Sequence, residues 1–175
     1  MSVSLSIITS LAIVAAAFGQ QVTEKTVPGV TNFKNLDMTI ACAGATTAQA
    51  VPEIKKMGYA SIINLRLASE EGANIEEETA AAKAAGIRFI HLPLSSQSPD
   101  PAVADRFLAA VTAKENQPVF IHCHSGNRAA AMWMIKRLVV DHWDTDKAST
   151  EAAALGLTNQ GLRKFATDYA QTHSK

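Results

Sequence analysis

The chain lacks an excess of either charge. Sixteen Lys and Arg face sixteen Asp and Glu, charged residues are 18% of the whole, and no basic run occurs. Binding a nucleic acid takes several Lys or Arg contacts to phosphate, so that class is set aside. Cysteine is scarce: only Cys42 and Cys123 are present. Two thiols in different local settings are not a disulfide framework. There is no Walker or dinucleotide glycine pattern. Beyond His122 and His124 no Cys or His pair has metal-ligand spacing, so neither metal nor other cofactor is called for. Internal repeats and low-complexity linkers are absent too. What is present is 47% hydrophobic residues in a chain of 175, which excludes disorder and suffices for one domain without staples. Of these residues 31 are Ala, which adds helix propensity more than core volume.

No charge precedes Glu24, and Leu5 to Phe18 form an apolar stretch of 14 residues. That is the length of a signal-peptide core and is short of the roughly 20 residues a spanning helix needs. A small-x-small site at Ala17-Phe18-Gly19 makes residues 1–19 a signal peptide and implies export, leaving no membrane span after cleavage. A buried N-terminal helix or an uncleaved anchor is the competing reading.

Residues 20–37 show no periodicity and read as an irregular lead-in, and 38–172 read as a single domain. Within it strands and helices alternate. Strands are expected at 38–43, at 60–65, where ASIINL is a continuous apolar run, at 87–94 and at 118–122. Helices are expected at 47–57, capped by Thr46 or Thr47 and either started or kinked by Pro52, and at 76–85, stopped by Gly86. Others follow at 101–114, capped by Asp100, and at 128–140, 147–155 and 158–172. The pattern implies an α/β fold, a mostly parallel sheet of about four to five strands with helices on both faces. Ligands then bind beyond the carboxyl ends of the strands.

One such end carries chemistry. PVFIH runs into Cys123-His124-Ser125-Gly126-Asn127-Arg128 and directly into a helix. A thiol between a strand end and a helix N-terminus meets converging backbone N–H groups, and thiols so placed ionise below the free value of about 8.5. Gly126 lets the backbone curl into an anion nest, and Arg128 offers a two-pronged guanidinium. The sequence therefore predicts an anion-binding nucleophile site. A buried structural cysteine is the alternative.

His122-Cys123 followed by Gly126 and Arg128 resembles the active-site loop of cysteine-dependent phosphatases of the dual-specificity group. More closely, the chain resembles the phosphatase-like domain of beta-lactamase hydrolase-like proteins, through AGATTAQ, SIINLR, AAGIRFIHLPL and PVFIHCHSGNR, over roughly Asn32 to Tyr169. The resemblance implies a cysteine-phosphatase-like fold, Cys123 as nucleophile, Arg128 as phosphate-binding arginine, and a cradle from the amides of His124, Ser125, Gly126, Asn127 and Arg128. It also implies a supporting role for His122 in tuning the thiolate; a core histidine at a strand end is the other reading. One departure stands out: four residues separate Cys123 from Arg128, where the phosphatase pattern has five. Cys-x-x-Gly-x-Arg is the loop length of rhodanese-type sulfurtransferases.

A phosphatase also needs a general acid, and Asp100 is the candidate, with Asp105 behind it. Asp100 reads equally well as the helix cap. Arg66 could add positive charge, though a surface ion pair with Glu70 or Glu71 is the plainer reading. Glu70, Glu71, Glu76, Glu77 and Glu78 read as a solvated helix start, Cys42 as an inert buried thiol, and Met132, Trp133 and Met134 as core. The sequence thus points to an exported cysteine-dependent phosphatase acting on a phosphorylated substrate or small oxyanion. A Cys123-persulfide sulfurtransferase and a non-catalytic binding module are the alternatives.

Overall fold

In the computed structural model, which describes residues 21–37 and 39–173, the alternation read from the sequence becomes one six-stranded sheet with helices on both faces. The elements are β1 (Val22–Glu24), β2 (Lys34–Leu36), β3 (Ile40–Ala43), α1 (Val51–Lys56), β4 (Ser61–Asn64), α2 (Ile75–Ala85), β5 (Arg88–His91), α3 (Pro101–Thr112), β6 (Val119–His122), α4 (Asn127–Val139), α5 (Thr145–Ala154) and α6 (Gln160–His173). Strand order is β1-β2-β3-β6-β4-β5. The last four are mutually parallel, while β1–β2 and β2–β3 are antiparallel. Among the described residues no helix is long and apolar enough to cross a membrane. The signal-peptide segment 1–19 lies outside the described residues, as does Met38 at the start of the expected first strand.

Two expectations need correction. The lead-in is not irregular throughout: β1 and β2 extend the sheet to six strands. At three residues each they are too short to show a period of two. The helix expected from residue 47 is a 3-10 turn, Ala48–Ala50, followed by α1, and Thr47 makes no side-chain cap. Pro52 lies in the first turn of α1, where its missing N–H costs nothing. Elsewhere the stop and start signals hold. Gly86 ends α2 at φ +63°, and Asp100 caps α3 by accepting from Ala102 N at 2.9 Å.

Strand parity divides the core. Ile40, Cys42, Ile63, Val119 and Ile121 face the layer of α3–α6, whereas Ala41, Ile62 and Phe120 face the layer of α1 and α2. Met132, Trp133, Met134 and Ile135 of α4 are all essentially buried. Each fully buried side chain of that size contributes about 1.5–3 kcal/mol, which is how a helix apolar on nearly all sides is accommodated. Cys42 sits at the centre of β3, and burial pushes its thiol well above the ordinary range.

Candidate active site

β6 lies between β3 and β4, so the chain leaving it is flanked by both neighbours. Leu65 N donates to His122 O at 2.9 Å from one side. From the other, Cys123 N donates to Ala43 O at 3.2 Å and Ala45 N to His124 O at 2.8 Å. Gly44 belongs to this clamp: a Cβ there would come within 3.0 Å of His124 O. The loop then turns at Gly126, whose φ of +95° is the left-handed conformation that glycine adopts without strain, and enters α4.

The turn brings the Gly126 N–H to the nucleophile candidate, donating to Cys123 Sγ at 3.1 Å. Among the described residues, the N–H groups of His124, Ser125, Asn127 and Arg128 take no protein acceptor. They lie at the N-terminus of a 13-residue helix, so unpaired donors and the positive end of the macrodipole meet there. His124 and Ser125 are exposed, whereas Cys123 is only 1% exposed. The Asn127 side chain is committed to protein partners, its Nδ2 donating to Ser125 Oγ at 3.3 Å. Its Oδ1 accepts from Thr158 N and Asn159 N, both at 2.8 Å, which ties the loop to the segment before α6.

Arg128 is not a free arm. Its Nη1 donates to Leu65 O at 3.1 Å and to Leu94 O at 2.9 Å, and the guanidinium grips Glu70 with both Nη atoms, Nη2 lying 2.8 Å from Oε2. Burial would lower the guanidinium pKa; Glu70, and Cys123 beside it, raise it above its usual value. The fork is thereby oriented by protein carbonyls and one carboxylate, in the neighbourhood of the Cys123 thiol.

Glu70, expected only as a partner of Arg66 and as part of a solvated acidic cluster, holds Arg128 at the site. It sits in the loop after β4, and that loop is organised by Arg66, whose expected ion pair with Glu70 is present but buried rather than at the surface, Arg66 being 2% exposed. Arg66 Nη1 donates to Gly72 O at 2.7 Å, Nη2 bonds Glu71 O, and Nε lies 3.4 Å from Glu70 Oε2. Its role is scaffolding: it wraps the loop so that Glu70 reaches Arg128. Glu78 is a second departure. Read as part of a solvated helix start, it is 1% exposed beneath the loop, with Oε1 2.8 Å from His122 Nε2. Neither contact carries a local signal, because Glu70 meets Arg128, and Glu78 meets His122, only through the sheet.

Burial would raise the Glu70 pKa, but hydrogen bonds from Arg128, the Leu67 N–H and Arg66 pull it down to about 2. The unfolded chain therefore binds this proton more readily than the folded one. The stability it confers is complete above the ordinary carboxylate value and is lost as pH falls from there through about 2. Denaturant midpoints near neutral pH and at about pH 3 should differ less for Glu70→Gln than for the wild type. An equal acid loss in both would remove Glu70 from the acid-labile set.

The two general-acid candidates are placed differently. Asp105 accepts from the Tyr169 hydroxyl, on the α6 side of α3. Tyr169 lies ten residues beyond Asn159, about 15 Å along a helix, so Asp105 is engaged with the far part of α6. Asp100 is exposed and caps α3 through Oδ1. Its loop begins at Leu94, whose carbonyl holds Arg128.

Comparison with known proteins matches this architecture. The chain is 29% identical over 124 residues to the beta-lactamase hydrolase-like protein of Xylella fastidiosa, covering 70% of this chain and 28% of the relative's length. It therefore spans little more than a quarter of that protein. Among solved structures it superimposes on a putative phosphatase of Shewanella putrefaciens with a TM-score of 0.70 and 19% identity, covering 85% of this chain and 97% of the other. TpbA of P. aeruginosa gives 0.65 and 21%, covering 90% and 92%. These likenesses establish a shared fold. Residues 32–139 match the family model described as beta-lactamase hydrolase-like protein, phosphatase-like domain, and the chain belongs to that family.

Proposed function

We propose that this protein is a cysteine-dependent phosphatase that works through a cysteinyl-phosphate intermediate. The observation that carries the reading is the Gly126 N–H donating to Cys123 Sγ in a loop whose other amides take no protein acceptor among the described residues, with Arg128 beside it. In the first step the Cys123 sulfur attacks phosphorus: an S–P bond forms, the ester P–O bond breaks, and Asp100 gives its proton to the leaving oxygen. In the second, water attacks phosphorus and gives a proton back to the Asp100 carboxylate, the S–P bond breaks, and inorganic phosphate departs with the sulfur restored as thiolate. Four amides and a guanidinium supply donors for the equatorial oxygens, where charge accumulates. A TpbA variant with serine in place of a cysteine is known in complex with phosphotyrosine, which favours a phosphorylated substrate here.

The four-residue interval from Cys123 to Arg128 favours a second reading, transfer of sulfane sulfur through a Cys123 persulfide. Parallel assays of para-nitrophenyl phosphate hydrolysis and thiosulfate-to-cyanide transfer, with wild type and Cys123→Ser, decide between them. Thiocyanate formation without phosphate release would replace the phosphatase reading, and activity in neither assay would leave a binding module. Asp100→Asn should lower turnover of an alkyl phosphate, a poor leaving group, by on the order of 10²-fold and flatten the alkaline side of the pH profile. Unchanged turnover would leave Asp100 as a helix cap only. Export follows from the reading of residues 1–19; N-terminal sequencing of the mature protein, beginning at Gln20, is the test.

A further inference from the structure

Asn64 and His122 are direct cross-strand partners in the parallel pair β4–β6. Parity points both side chains toward α2, away from the face that carries Cys123. Glu78 of α2 lies between them. Its Oε2 accepts from Asn64 Nδ2 at 2.7 Å, and its Oε1 lies 2.8 Å from His122 Nε2. His122 is 0% exposed and Asn64 is fully buried too. The 2.8 Å approach lacks hydrogen-bond geometry, and Glu78 Oε1, His122 Nε2 and His122 Nδ1 are all without a hydrogen-bond partner among the described residues. A buried carboxylate without full hydrogen bonding is costly, so its retention beneath the nucleophile loop calls for a reason.

Two chains of contacts leave Glu78 for the site. Through Asn64, whose Oδ1 accepts from Arg66 N at 2.7 Å, it fixes the start of the loop that carries Glu70 to Arg128. Through His122 it fixes the residue preceding Cys123. A carboxylate only accepts, and two lone pairs 2.8 Å apart repel. We propose that Glu78 is a positioning residue that keeps a proton on His122 Nε2 and hangs the nucleophile and the Arg128 fork from one buried carboxylate. The proposal rests on Cys123 as the reactive thiol.

Glu78→Gln keeps the volume and separates the roles. The new amide must present its oxygen to Asn64 Nδ2, which turns its NH2 group toward His122 Nε2 and drives the ring proton to Nδ1. Long-range proton–nitrogen NMR of histidine-labelled protein, with His122 assigned from His122→Gln, should show Nε2 protonated in the wild type and bare in Glu78→Gln. Alkylation of Cys123 by iodoacetamide near neutral pH should slow by on the order of tenfold, the scale of a sub-ångström misplacement, and kcat/KM for para-nitrophenyl phosphate should fall alongside it. A bare Nε2 in the wild type overturns the proposal, and that measurement stands even if the variant does not fold. Wild-type alkylation and turnover in a variant whose Tm alone has fallen also overturn it, since Glu78 would then be structural only. Absence of phosphate turnover in the wild type would defeat the phosphatase reading, while the ring and alkylation measurements would still judge Glu78.

Discussion

Cys123→Ser should reduce hydrolysis of para-nitrophenyl phosphate by at least roughly 10⁴-fold, the scale at which loss of a nucleophile leaves only binding and electrostatics. The loss is chemical, because a serine hydroxyl does not ionise near neutral pH and, among the described residues, no base is hydrogen-bonded to the Cys123 side chain to activate it; the Gly126 N–H only gives a hydrogen bond. Stability should change by no more than about 1 kcal/mol, since that same N–H can pair with the buried hydroxyl. The variant should therefore still bind inorganic phosphate, competed by substrate, with an affinity near that of the wild type. Steady-state rates and a phosphate titration by calorimetry check both halves. Turnover within tenfold of wild type would mean that Cys123 is not the nucleophile.

Arg128→Lys should lower kcat/KM by on the order of 10²–10³-fold, the cost of removing one oriented donor from an oxyanion site. A single ammonium cannot replace four contacts: both Glu70 oxygens and the carbonyls of Leu65 and Leu94. It also cannot present a planar edge to the substrate once it has chosen Glu70. Arg128→Ala is the less informative variant. It breaks the largely buried pair with Glu70 and removes a donor from the carbonyls of Leu65 and Leu94, a loss of up to about 3–5 kcal/mol even though Glu70 keeps the Leu67 N–H and Arg66 Nε and Leu65 O keeps the Leu94 N–H, against a total stability of roughly 5–15 kcal/mol for a domain. Unfolding would then mask the catalytic effect. Kinetics of the lysine variant, with urea midpoints to confirm the fold, give the test; kcat/KM within threefold of wild type would make Arg128 purely structural.

Which parts of this site were legible beforehand follows from how each is encoded. β4 and β6 announce themselves as continuous apolar runs, and Cys123, Gly126 and Arg128 sit together in one loop whose placement follows from strand, turn and helix in order. The cap at Asp100 and the stop at Gly86 are equally local. By contrast, Glu70 and Glu78 lie 58 and 45 residues before Arg128 and Cys123. What brings them in is the insertion of β6 between β3 and β4, which sets Asn64 against His122. Sequence spacing carries no trace of that register. The pair of Arg66 with Glu70 is legible at i,i+4 but its burial is not: a polar loop rich in acids suggests solvent, whereas the arginine is buried under the loop it organises. β1 and β2 were missed because three residues are too few to display alternation.

The central place of β6 has a mechanical consequence. A strand at a sheet edge can peel away by breaking one ladder, whereas β6 is bonded on both sides, to β3 and to β4. Local opening at its carboxyl end must break both ladders together, so the root of the nucleophile loop belongs to the most slowly opening part of the molecule.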